Sequence, residues 1–167
     1  EEYDHLYLVD SNWSIQPDKI ADMKASVIKV NPNLRYYEAY KEVLPQIKED
    51  VVLFLDNDFV IYKPGVIKKA FDKIECGCYD VVSIYDTIGT FHSPLLNGQS
   101  KFCLYFMAGK VDLFRQYLSA DWGPHMPEYE TLGLLTQKML NDGIRPLEFE
   151  EDKNSIYFDG SMDGKKS

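Results

Sequence analysis

The sequence predicts a single α/β domain with a mostly parallel central sheet, and three observations lead to this fold class. A length of 167 residues fits one compact domain better than two. Hydrophobic residues make up 45% and charged residues 27%, which is typical of a globular chain and excludes disorder as its main state. In the first half, short apolar runs alternate with patterns of helical spacing, which favours parallel strands covered by helices on both faces.

Two strand-then-helix units open the chain. Leu, Tyr and Val alternate over residues 5–9, which predicts a strand ending at Asp10, and a helix over 17–24 would carry proline in its first turn. Residues 26–30 predict a second strand, and the apolar side chains over 34–47 recur at helical spacing. A proline inside this last stretch is expected to kink or shorten the helix.

The third unit begins with the most apolar run of the chain. Val51–Leu55 is an unbroken run of valine, leucine and phenylalanine, which predicts the central strand of the sheet, buried on both faces. Asp56-Asn57-Asp58 follows directly. A proline at 64 then opens a predicted helix over 66–74, and residues 79–85 predict the fourth strand. Ligands of such sheets gather at the carboxyl ends of the strands, which is where these acidic residues stand.

The second half of the chain is less regular, and a mixed arrangement of elements is expected there. The predicted elements are a loop over 87–100, a strand over 102–107, a helix over 111–118, a loop over 121–127, a helix over 128–141 ended by Gly143, and a strand over 144–149. We therefore expect one domain over 1–150, followed by a tail or active-site loop over 151–167.

Charge and hydropathy exclude two classes of partner. Lysine and arginine number 18 against 27 aspartates and glutamates, and the resulting net charge of −9 repels nucleic acid and anionic lipid. An anionic ligand would need a divalent cation or a local basic group to screen it. No apolar run approaches the roughly 20 residues that cross a bilayer, so no transmembrane segment is expected.

The ends and the cysteines give two further expectations. Glu1-Glu2-Tyr3 has neither an initiator Met nor a signal segment, which indicates that these residues begin inside a longer natural chain. Cys76, Cys78 and Cys103 are odd in number and lack the ligand count of a structural zinc site. They are interpreted as free thiols of a cytoplasmic protein, or of one at the cytoplasmic face of a membrane.

The motif Asp56-Asn57-Asp58 is the sharpest chemical feature of the sequence. Two carboxylates one residue apart at a strand end can converge on one hard cation, because Mg²⁺ and Mn²⁺ prefer oxygen ligands and leave positions open for phosphate. The alternative is a chance Asp-x-Asp pattern that merely starts a turn in an acidic chain. The position after the most buried predicted strand favours the metal and diphosphate site.

In its order of elements and in this motif, the chain resembles the GT-A nucleotide-sugar glycosyltransferases, especially those similar to family 2. The resemblance covers roughly residues 3–150 and rests on the strand ending at Asp10, on Leu53-Phe54-Leu55-Asp56-Asn57-Asp58, and on the helix that follows. It implies that Asp56 and Asp58 hold Mn²⁺ or Mg²⁺ on the diphosphate of a UDP-sugar. It also implies that Asp10 contacts the base or ribose; a strand-end Asp that begins an Asx-type turn is the alternative.

Two departures from the family pattern stand out. The first strand and helix of the family, which form much of the nucleoside pocket, would precede Glu1. Members of the family often carry a later His near the metal, but this chain has none at the matching place, since His125 comes too early. Asp159 or Asp163 is a candidate third metal ligand instead.

A second acidic group, Glu128 and Glu130, starts the predicted helix over 128–141. It resembles the acidic pair of the family, one member of which is the general base of inverting enzymes, although Thr131 stands where a second acid is expected. Glu130 is preferred, then Glu128, then Asp121. Such a base takes the proton of the acceptor hydroxyl while the metal stabilises the leaving diphosphate. The alternative is that both acids only complement the dipole of the helix.

Other polar and aromatic residues are secondary candidates for ligand contact. They are Arg35 and Asn57 for phosphate, Trp13 for the nucleotide or the core, Trp122, His125 and Tyr129 for sugar, and His92 for acceptor or product. The expected partners are a nucleotide-sugar donor and a glycan or other hydroxyl acceptor.

Two rival functions remain open. Asp56-Asn57-Asp58-Phe59-Val60 also fits the Asp-x-Asp-x-Val signature of haloacid dehalogenase-type phosphatases, with Asp56 as nucleophile, Asp58 as acid/base and Ser83 as the second motif. Against it, that family carries the signature on its first strand, and here two strand-then-helix units come before it. The other rival is a non-catalytic metal-binding or sugar-binding module, because a fold does not determine a function.

Overall fold

A computed structural model describes residues 3–11, 13–21, 24–34, 36–55, 59–61, 63–85, 102–118, 128–148 and 156–158. In chain order the elements are β1 (Leu6–Asp10), a 3₁₀ helix (Pro17–Ile20), β2 (Ala25–Lys29), α1 (Tyr36–Val43), a 3₁₀ helix (Leu44–Gln46), β3 (Val51–Leu55), β4 (Phe59–Ile61), α2 (Val66–Glu75), β5 (Val81–Tyr85), β6 (Phe102–Lys110), α3 (Val111–Leu118), α4 (Glu128–Asn141), β7 (Pro146–Glu148) and β8 (Ile156–Phe158). The α/β class predicted from the sequence is confirmed.

The chain divides into two compact units. The first comprises residues 1–50 and 111–121, and the second comprises 51–110 and 122–167. The predicted boundary between residues 150 and 151 falls outside the described residues and stays a prediction.

In the first unit, β1 and β2 form the predicted parallel pair. The register runs from Leu6 opposite Ala25 to Asp10 opposite Lys29, so both carboxyl ends lie at one edge. The helix predicted over 17–24 is wrong in type, because the described part of this stretch forms a 3₁₀ helix over Pro17–Ile20, and Lys24, next to β2, is not helical. The apolar residues of this short stretch are too few to stabilise a longer helix by packing.

The helices of the first unit pack around a proline break. Pro45 ends α1 at Val43, as predicted, and the chain continues in the 3₁₀ helix because proline lacks the N–H of an α-helical hydrogen bond. Arg115 on α3 donates hydrogen bonds to the carbonyl oxygens of Leu44 and Ile47, at 3.2 and 2.8 Å. The buried side chains of these helices and of the residue after them are Tyr40, Val43, Leu44, Ile47, Val111, Phe114, Tyr117 and Leu118.

The second unit contains a mixed sheet of four strands in the order β3-β6-β5-β7. Strand β6 runs antiparallel to β3 and to β5, whereas β5 and β7 are parallel. The expectation of a mostly parallel sheet is therefore wrong for this sheet. The mixed character expected of the second half of the chain is confirmed, and it comes from β6.

Strand β3 is not central in the sheet, contrary to the prediction. Among the described strands it pairs with β6 alone, its side chains are half-buried, and Leu55 is 43% exposed. The buried centre lies on β5 and β6 instead, where Val81, Val82 and Phe106 are fully buried. An apolar run in a sequence predicts burial on average, but it does not predict whether the strand will have one or two neighbouring strands in the sheet.

Two predicted helices cover this sheet. Helix α2 presents Val66, Ala70 and Ile74, all fully buried, to a cluster that includes Val82 and Phe106. Helix α4 contacts β6 and ends as predicted before Gly143, whose φ of +80° is the left-handed conformation that favours glycine after a helix.

Strands β4 and β8 form a second, unpredicted ladder in this unit. They are antiparallel, with Phe59 opposite Phe158 and Ile61 opposite Ile156. Each strand has three residues, too few for a recognisable alternation of side chains. Part of the predicted tail is thus a strand.

The prediction of free thiols is wrong for two of the three cysteines. The structure joins Cys76 and Cys78 in a disulfide across one residue, between α2 and β5. Three cysteines in a sequence do not by themselves predict this disulfide, because two cysteines can pair only when the turn between them brings their sulfur atoms close together.

Candidate functional site

The predicted metal motif is bracketed by two strands. Strand β3 ends at Leu55 and β4 begins at Phe59, so Asp56-Asn57-Asp58 is the connection between them. These three residues lie outside the described part of the chain, and their role stays a prediction.

The ladder of β4 and β8 brings part of the tail beside this connection. Phe59, the residue after the motif, is paired with Phe158, the residue before Asp159. Asp159 and Asp163 themselves lie outside the described residues. The pairing nevertheless anchors the tail to the strand that directly follows the predicted diphosphate site.

The loop after β1 is organised by the side chain of Asp10. This carboxylate is 3% exposed, and its two oxygens accept hydrogen bonds from the backbone N–H groups of Ser14 and Ile15, at 3.0 and 2.9 Å. Such bonds hold a loop in one conformation because they satisfy backbone donors that would otherwise need water. Asp10 therefore organises the loop through bonds to residues four and five positions ahead, whereas a bond to the second residue ahead defines an Asx turn. Its contact with a nucleoside stays a prediction.

Trp13 is held in a strained and exposed position by the same loop. Its φ is +55°, a left-handed conformation that is a true outlier for a bulky side chain, and the residue is 62% exposed. Its indole N–H donates a 2.9 Å hydrogen bond to the carbonyl oxygen of Val30, just after β2. The Nζ atom of Lys29 lies 6.0 Å from the ring centroid. Exposure excludes the core role that the sequence had left open for Trp13.

This combination makes Trp13 a fixed aromatic surface. The indole hydrogen bond limits rotation of the ring, while most of its area remains open to solvent. Backbone strain of this kind persists only where the surrounding structure imposes it, and it concentrates at functional sites. A planar ring such as a nucleobase can stack on the open face.

Ionisable side chains at the opposite end of β1 serve another purpose. The hydroxyl of Tyr7 donates a 2.9 Å hydrogen bond to Glu49, and burial together with this bond raises the pKa of Tyr7. The tyrosine therefore stays protonated at neutral pH. The pair links β1 to the segment before β3 and has no feature of an acid–base site.

Helix α4 begins at Glu128, so Glu128 and Glu130 stand in its first turn as predicted. Their side chains lie outside the described part of the structure, and so does that of Tyr129, which leaves the catalytic role of both acids a prediction. The other candidates outside the described residues are Arg35, His92, Asp121, Trp122 and His125.

Neither a metal cluster nor a membrane-spanning helix occurs in the described residues. No group of three or more His, Cys, Asp or Glu side chains that could hold a metal is found among them. Within the same residues, no helix has the length and apolar character needed to cross a membrane.

Comparisons with known proteins give likenesses to solved structures but none to a family model or a curated protein. No family model matches the sequence, and no curated protein matches it. Among solved structures, the chain is similar to the crystal structure of A197 from STIV, at 17% identity and a TM-score of 0.46, over 86% of this chain and 80% of that one.

Proposed function

We propose that the protein is a metal-dependent glycosyltransferase that moves a sugar from a UDP-sugar to a hydroxyl acceptor, with inversion at the anomeric carbon. The observation that carries the proposal is the loop after β1, in which Asp10 holds the backbone and Trp13 presents its ring. The cytoplasm, or the cytoplasmic face of a membrane, stays the proposed location, although the free-thiol argument for it no longer applies to Cys76 and Cys78.

The loop is suited to the nucleoside of the donor. It follows the carboxyl end of β1, in a parallel pair with β2, which is the edge where nucleotides bind in α/β proteins. Trp13 would stack on the uracil ring, and the ammonium group of Lys29 near the indole favours an anionic ligand at this edge. Asp10 acts on the nucleoside through the loop that it organises.

The diphosphate is assigned to Asp56 and Asp58 by the family resemblance. A chain with a net charge of −9 repels a diphosphate unless a cation screens it, which supports a requirement for Mn²⁺ or Mg²⁺. When bound, the metal would supply charge stabilisation for the leaving UDP. Glu130, or else Glu128, would accept the proton of the acceptor hydroxyl.

The phosphatase alternative gains nothing from the structure. Its second motif requires a hydroxyl at the carboxyl end of the next strand, whereas Ser83 lies in the middle of β5 and is fully buried. The neighbour of β3 in the sheet, β6, is also antiparallel to it.

Tryptophan fluorescence tests the donor assignment. The sequence has two tryptophans, so Trp122→Phe leaves Trp13 as the single reporter. We expect UDP with Mn²⁺ to quench this emission, EDTA to restore it, and Asp56→Ala or Asp58→Ala to weaken UDP binding at least about tenfold. Asp72→Ala is the matched control, because it removes an exposed carboxylate of α2 that pairs with Lys68.

Activity assays then separate the chemistry from binding. Glu130→Gln should abolish transfer or hydrolysis of the UDP-sugar with little change in UDP affinity, since a general base acts on the acceptor rather than on the nucleotide. The mechanism would be rejected if UDP bound without metal. It would also be rejected if Glu130→Gln and Glu128→Gln were both as active as the parent. Absence of UDP binding in both this chain and a version extended at its N-terminus would reject the donor class.

A further inference from the structure

The cysteine pair between α2 and β5 is accessible from solvent. Cys76, Gly77 and Cys78 are all exposed, and a Cβ placed on Gly77 would meet no atom within 4 Å. The Cα atoms of the two cysteines are 5.4 Å apart. A small thiol or disulfide in solution therefore has an open approach to both sulfur atoms.

Stabilisation of the fold does not explain this disulfide. A disulfide stabilises a protein mainly by restricting the unfolded chain, and the effect grows with the length of the loop that it closes. Here the two cysteines are separated by two positions, which is close to the shortest loop possible. The unfolded chain loses little freedom when it forms.

Backbone hydrogen bonds already hold the turn without the sulfur atoms. The N–H groups of Cys76 and Gly77 donate to the carbonyls of Asp72 and Ile74, at 3.1 and 3.0 Å. Gly77 adopts a φ of +69°, and its carbonyl accepts a 3.0 Å hydrogen bond from the guanidinium of Arg145. The turn therefore keeps the cysteines close together in the reduced state as well.

Carbonyl oxygens lie near both sulfur atoms. Cys76 Sγ lies 3.4 Å from the carbonyl oxygen of Lys73, and Cys78 Sγ lies 4.0 Å from the carbonyl oxygen of Cys76. A cysteine pair that is accessible and held close by its own turn has the properties of a redox couple rather than of a structural staple.

We infer that Cys76-Gly77-Cys78 is a thiol–disulfide exchange site for low-molecular-weight thiols of the glutathione type. In the reductive direction one thiolate of the small molecule attacks a sulfur of the Cys76–Cys78 bond, giving a mixed disulfide and one cysteine thiolate. A second small thiol then displaces the remaining cysteine, so that two small thiols become one disulfide while two cysteine thiols form. Oxidation runs through the same steps in reverse.

The site is independent of the proposed transferase chemistry. It precedes the amino end of β5, whereas the nucleotide is assigned to the carboxyl ends of β1 and β2. Failure of one proposal thus leaves the other unaffected.

Alkylation in glutathione buffers tests the inference on the full chain. The protein is equilibrated at a series of ratios of reduced to oxidised glutathione, quenched with acid and alkylated with a maleimide. Mass spectrometry of the intact protein then counts the maleimides attached. We expect the parent to carry three maleimides in reducing buffers and one in oxidising buffers, with both lost in a single transition. Cys103→Ser is the matched control, and it should go from two to none at the same glutathione ratio.

Four outcomes would overturn the inference. The parent could retain three maleimides in excess oxidised glutathione, or carry glutathione on one cysteine without losing two sites. It could also resist reduction by excess dithiothreitol, which would identify a structural bond. Cys76→Ser and Cys78→Ser must each abolish the joint loss of two maleimide sites, and far-UV circular dichroism verifies that these variants are folded. If either variant still loses two sites together, Cys103 is a disulfide partner instead.

Discussion

The strained conformation of Trp13 leads to an unusual order of stability between two substitutions. Trp13→Gly and Trp13→Ala both remove the indole hydrogen bond to Val30 and the contact with Lys29, so these losses cancel in the comparison. The two variants then differ only by a Cβ atom at a φ of +55°.

The magnitude follows from the backbone alone. A left-handed conformation costs a residue with a Cβ roughly 1–2 kcal/mol, and the extra freedom of glycine in the unfolded chain costs about 0.5–1 kcal/mol. We therefore expect Trp13→Gly to be more stable than Trp13→Ala by about 0.5–1 kcal/mol. At an ordinary loop position with negative φ, alanine would be the more stable of the two by a similar amount.

Urea unfolding followed by circular dichroism measures this difference, provided that both variants have the same denaturant slope. A more stable alanine variant would show that residue 13 is not held in the left-handed region and would remove the strain argument. Calorimetric titration of UDP with Mn²⁺ gives the functional counterpart, where loss of stacking is expected to weaken binding about 5- to 100-fold in both variants. Trp13→Phe keeps a ring and should lose less affinity.

Three further predictions concern the second unit. The carboxylate of Asp80 accepts hydrogen bonds from Arg145, at 2.9 Å to each oxygen, which lowers the pKa of Asp80. Asp80→Asn should therefore destabilise the fold at pH 7 by about 1 kcal/mol. Because the lowered pKa belongs to the folded state, the stability difference between the parent and this variant should disappear as the pH falls below about 4 through that pKa. Urea midpoints measured across pH test this, and a stability difference independent of pH would reject it. Ile74 is fully buried, so Ile74→Ala should cost about 2–5 kcal/mol and Ile74→Val about 0.5–1.5 kcal/mol in the same assay, and near-equal losses would mean that no cavity forms. A Cβ added at Gly143 would meet no atom within 4 Å, so Gly143→Ala should lose about 1 kcal/mol of stability from the φ of +80° alone. Gly143→Asn should lose less, and an unchanged melting temperature in the alanine variant would contradict the left-handed conformation after α4.

The helices and most strands could be predicted from local pattern. Helix α3 matches its predicted bounds, and α2 follows from apolar side chains spaced at 66, 70 and 74, because one face of a helix must be buried. Pro45 and Gly143 ended their helices as expected, since the chemistry of proline and glycine acts within one turn.

The candidate site was predictable in its residue types and only partly in its geometry. Asp10 and Trp13 were both identified from sequence, but the roles of nucleoside contact and turn former for Asp10 could not be separated. The choice depends on which donors reach the carboxylate, and the structure supplies two backbone N–H groups of the loop.

By itself, the sequence determined the α/β class, the sites of most elements and the acidic motif after Val51–Leu55, because these depend on residues close together in the chain. Tertiary structure alone decided the antiparallel course of β6, the end position of β3 and the pairing of β4 with β8. Strand order depends on contacts between residues far apart in sequence, which no local pattern encodes. The same reason applies to the exposed ring of Trp13, whose orientation depends on a carbonyl at Val30 that only the neighbouring strand brings within reach.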